Sequence, residues 1–89
     1  MSWRRDVDVA GVPVAAHDVP ELIRRLRERG APHVAVKVER ALGTRTVHVV
    51  FSEAEREAIL RAVDDRPREF SELYAALVHE LERRRKRAD

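Results

Sequence analysis

Hydrophobic positions along this chain change period several times, and each change marks an expected element. Between His33 and Phe51 the order is HVAVKVERALGTRTVHVVF. Val34, Val36 and Val38 alternate with Ala35, Lys37 and Glu39, and Val47, Val49 and Phe51 alternate with Thr46, His48 and Val50. Period two with β-branched residues on one side predicts two half-buried strands. They would be joined through Ala41, Leu42, Gly43 and Thr44, with Gly43 supplying the turn. Setting Val36 against Val49 and Val38 against Val47 keeps the valines and Phe51 on one face, whereas a slip of one residue sets Val38 against His48. In that register Lys37 lies across from His48 and Glu39 across from Thr46, with Ala35 and Val50 at one end of the opposite face.

A shorter alternation precedes it. Val7 and Val9, then Val12 and Val14, flank Ala10 and Gly11, which predicts an edge hairpin; Pro13 cannot donate to a ladder and keeps its strand at an edge or on the non-bonding side. Trp3 stands before this hairpin, able to cap the core or hang free.

Helical periods fill the rest. Asp18 with Glu21 has the spacing of a capping box, and Pro20 falls in the first turn where its missing N–H is harmless. Val19, Leu22, Ile23 and Leu26 then form one stripe, opposite a face of Arg24, Arg25, Arg27, Glu28 and Arg29, and Gly30 ends the helix before Pro32. Ser52 and Glu55 repeat the capping box ahead of a helix from Glu53 to about Asp64 that carries Ile59, Leu60 and Val63. Asp65 with Pro67 resembles Asp18 with Pro20 and predicts a third start. Phe70, Leu73, Tyr74, Leu77, Val78 and Leu81 follow in i, i+3, i+4 steps, the longest amphipathic stripe in the chain. The order β-β-α-β-β-α-α with short connections implies an α+β fold, a small antiparallel sheet of about four strands with helices packed on one face.

Composition narrows the classes. Eighty-nine residues make a single domain, expected over residues 1–82 with 83–89 as a basic helix end or tail, and such a domain buries only roughly 60–65% of its unfolded surface. Hydrophobic content of 44% beside 38% charged residues suits a folded chain. Without cysteine, disulfides, thiolate metal sites and thiol catalysis are excluded. No apolar run has the length of a membrane span and the opening residues lack a signal-peptide segment, so the expected location is the cytoplasm. The net charge is +2, less than the five cations Arg83, Arg84, Arg85, Lys86 and Arg87 contribute, so the remainder of the chain is acidic. Of the 18 basic residues 16 are arginine, which with abundant alanine and valine has the look of GC-rich, bacterial-like coding and weakens any case that arginine was selected for its bidentate chemistry.

Four features carry candidate chemistry. The run Arg83 to Arg87 offers phosphate contacts and an accessory nucleic-acid-binding role, against the stronger reading of cations complementing a helix C-terminus; no aromatic residue interleaves it. His17, His33, His48 and His79 lack metal-ligand spacing, so neither metal nor cofactor is expected. His48 with Lys37, Glu39 and Thr46 is the best acid–base set available, but cross-strand polar pairs explain it better, and the balance leans away from an enzyme. The open sheet face, with Lys37, Thr46, His48 and Val50 as partner-binding residues, points instead to a small non-enzymatic binding or assembly module, self-associating as a homodimer, with the last helix as the other candidate seam.

Overall fold

The computed structural model describes residues 6–43 and 49–88. Its first element is the expected hairpin, β1 (Asp6–Val9) and β2 (Val12–Ala15), antiparallel with Val7 opposite Val14 and Val9 opposite Val12. Both turn residues have positive φ, Ala10 at 52° and Gly11 at 84°, the type I′ geometry whose twist matches that of the strands. The Asp8 carboxylate accepts the Gly11 N–H at 2.8 Å and helps to hold the turn. In such a hairpin the pair next to the turn is hydrogen-bonded and the next pair is not. Pro13, opposite Asp8, therefore costs the ladder no bond. The four valines are buried, and Asp6, Asp8 and Pro13 face outward.

A 3₁₀ turn, Ala16–Asp18, leads directly into α1 (Val19–Glu28), which buries Val19, Leu22, Ile23 and Leu26. Asp18 does not cap it. The preceding turn leaves Asp18 at φ −92°, ψ −16°, inside the helical region, where its carboxylate makes no cap bond; Glu21 pairs with Arg24 and Arg25 instead. Gly30, at φ 80°, ends α1 in a Schellman motif, with Ala31 N–H bonded to the Leu26 carbonyl at 2.8 Å and Gly30 N–H to that of Arg27 at 3.3 Å.

The next segment corrects the sequence reading. Residues Pro32–Gly43 form a helix, α2, and not a strand. Its buried positions are Val34, Ala35 and Val38, continuing from Ala31 and extended by half-buried Ala41 and Leu42, which is a helical stripe. Val36 is turned away from the core and is 46% exposed. Beyond the segment 44–48, Val49 and Val50 are in no regular element and Phe51 is buried. The described residues thus hold a two-stranded sheet where about four strands were expected, and the register between 34–38 and 47–51 does not arise; Thr46, Val47 and His48 lie outside the described residues.

Ser52 caps α3 (Glu53–Ala62) with the complete reciprocal box: Glu55 N–H donates to Ser52 Oγ at 3.2 Å, and Ser52 N–H to Glu55 Oε1 at 2.8 Å. After it the chain reverses through Arg66, at φ 57°, and a 3₁₀ turn, Arg68–Phe70, before α4 (Ser71–Ala88). Asp65 is not a helix cap here, because its carboxylate accepts from Arg25. Phe70, Leu73 and Leu77 bury the stripe of α4, while Tyr74, Val78 and Leu81 are half-buried. The hairpin lies with β1 against α2 and β2 against α4, and α1 packs on α2 and α3. No helix among the described residues is long and apolar enough to cross a membrane.

Candidate functional site

Of the expected partner-binding residues, the fold brings two together. Lys37, on α2, donates from Nζ to the Val50 carbonyl at 3.1 Å and to Glu55 Oε1 at 2.7 Å, and its ammonium lies 6.0 Å from the centre of the Phe51 ring. One side chain thereby joins α2, the segment before α3 and the first turn of α3. Glu55 is nearly fully buried, yet it stays ionised: the Lys37 hydrogen bond, then that from the Ser52 amide, outweigh desolvation and lower its pKa from about 4.5 to about 2. The exposed large hydrophobics found among the described residues are Val36, which precedes Lys37 on α2, and Val50, whose carbonyl Lys37 bonds and which is 76% exposed.

Glu39 does not join the acid–base set expected of a sheet face. Two residues apart on a helix, Lys37 and Glu39 diverge by about 200°, and Glu39 pairs with Arg27 of α1 at 3.1 Å. His17 is exposed beside Asp18, and His33 and His79 are exposed on α2 and α4. Among the described residues no three His, Asp or Glu side chains are placed to hold a metal ion.

Of the charged face expected on α1, Arg24, Arg27, Glu28 and Arg29 are exposed, whereas Arg25 is largely buried. Arg25 reaches the Ala62 carbonyl at 3.1 Å and Asp65 at 2.7 Å, with its guanidinium 5.9 Å from the Phe70 ring centre. Arg29 reaches the Arg61 carbonyl at 2.7 Å and Asp64 at 3.0 Å. Arg25 bonds a last-turn carbonyl of α3, Ala62, and Arg29 adds a donor to that of Arg61, which also accepts Asp64 N–H at 3.5 Å; the Arg25 hydrogen bond is the leading cause of the lowered pKa of Asp65. A pairing of this kind joins residues 32 to 40 positions apart, so no local sequence pattern signals it.

The basic run lies within α4 and is continuous with its core-packed half. Arg84 is half-buried, 3.3 Å from Glu53 and 3.5 Å from Glu80, and Glu80 also pairs with Arg56. Arg83, Arg85, Lys86 and Arg87 are exposed. Between this end of α4 and the first turn of α3 lies a groove of about 410 Å³ whose walls include Glu53, His79, Glu80, Arg83, Arg84 and Arg87. No protein-family model matches the chain, and comparison with curated proteins and with solved structures gives no match, so a functional reading must rest on these residues alone.

Proposed function

We propose that this protein is a small non-enzymatic binding and assembly module of the cytoplasm that pairs with a second copy of itself through the surface around Val36, Lys37 and Val50. The observation that carries the reading is the exposure of Val36, the chain neighbour of Lys37, and of Val50, whose carbonyl Lys37 bonds, together with a lysine charge already met within the same chain. An apolar patch with a free cation at its centre would repel its own image across a two-fold axis. With Glu55 holding Lys37, two such patches can meet without either copy burying an unpaired charge. A domain of this size also has much to gain, since its own core removes a modest share of its surface from water.

Sedimentation equilibrium over a range of loading concentrations tests the proposal. The mean mass of the wild-type chain should rise toward twice that of the monomer, and V36D/V50D should remain monomeric with an unchanged circular-dichroism spectrum, because both side chains lie outside the core. A wild-type chain that stays monomeric at every concentration, or a variant that associates as the wild type does, contradicts it.

A further inference from the structure

The cations at the end of α4 do not act as one patch, because a helix turns by about 100° per residue. Arg83 and Arg87, one turn apart, share the side of α4 that looks across the groove toward Glu53. Arg85 and Lys86 are not among the residues of its walls. Arg84 contributes a wall but is engaged by Glu53 and Glu80. Among the described residues Arg83 and Arg87 have no ion-pair partner, so their guanidinium groups are available to a ligand.

We infer that this groove takes the phosphodiester backbone of a nucleic-acid strand, with Arg83 and Arg87 as the phosphate ligands and Arg84 as a positioned wall. Each guanidinium presents a planar fork that matches two phosphate oxygens. Two forks one helical turn apart, about 6 Å along the axis, suit neighbouring phosphates of one strand. At about 410 Å³ the groove has more room than a single phosphate group needs. Glu53 and Glu80 in the walls are neutralised by Arg84 and Arg56, so the two outer arginines set the sign of the field there. Without aromatic residues to stack on bases, binding of this kind follows the backbone and is indifferent to sequence.

Fluorescence anisotropy of a labelled single strand and a labelled duplex, titrated with the full chain between about 50 and 200 mM salt, tests the inference. The wild-type chain should bind with affinity that falls as salt rises. Replacing both groove arginines in R83A/R87A should reduce the slope of log affinity against log salt by about 0.7 to 0.9 per lost contact. R85A/K86A removes the same charge from outside the groove walls and should keep most of that slope. Alanine favours helix, so both variants should retain α4, which circular dichroism checks. Equal losses in the two variants would reduce the effect to diffuse attraction by the tail and overturn the assignment. So would an absence of wild-type binding at the lowest salt, or binding of poly-glutamate as tight as that of the oligonucleotides.

Discussion

Glu55 shows how a single side chain can be legible locally and unreadable at long range. Its spacing from Ser52 announces the capping box, which is present. Its bond to Lys37, 18 residues away, depends on α2 being a helix and follows from no local pattern. The lowered pKa has a consequence for stability. Because the folded-state value, about 2, lies below the ordinary 4.5, ionised Glu55 stabilises the fold fully above about pH 4.5, and that contribution is lost as pH falls toward 2. Denaturant unfolding at several pH values should show a shallower acid loss for E55Q than for the wild type. At neutral pH E55Q should be less stable by about 1–2 kcal/mol, at the low end for charged hydrogen bonds because Lys37 is partly open to solvent. Arg25 makes a companion test: its side chain is mostly buried against the end of α3, and R25A should cost about 2 kcal/mol in the same measurement through the lost bonds to Ala62 and Asp65.

Among the elements, α2 separates what periodicity can specify from what it cannot. The positions 34, 36 and 38 fit period two, and the positions 31, 34, 35, 38, 41 and 42 fit period 3.6; Val34 and Val38 belong to both. Three valines in alternation outweigh a stripe that includes three alanines when β-branched side chains are counted, which is why the strand reading looks stronger in sequence. Ala31 and Ala35 are nonetheless core residues here, small enough for close approach of α2 to its neighbours. A signal for the helix was present in Gly30 followed by Pro32, a C′ glycine and an N1 proline that close one helix and begin another. Where only one period fits, as in the hairpin and in α1, sequence and structure agree. The two readings of α2 make opposite predictions for neighbouring valines. V38A should cost about 2 kcal/mol of unfolding free energy, and V36A less than about 0.5; a strand with one valine face would make the two losses similar.

At the scale of the whole molecule, α2 in place of the expected strand at 34–38 removes the open sheet face on which Lys37, Thr46, His48 and Val50 were to stand. Lys37 and Val50 still meet, across the α2–α3 connection, whereas Thr46 and His48 lie outside the described residues. What sequence conveyed of this surface was its residue types; what it could not convey was which of them face outward, since that depends on the helix phase. The molecule measures 48 × 28 × 26 Å. Its buried α4 residues end at Leu77, so the last turns of that helix and the patch around Val50 present chemically distinct surfaces. The most direct test of the proposed assembly is a dilution series of ¹H–¹⁵N correlation spectra. Concentration-dependent shifts should cluster at Val36, Lys37 and Val50 and saturate on one two-fold binding curve. Spectra that do not change on dilution, or changes concentrated on α4 with Val36 and Val50 unmoved, would contradict the proposed assembly.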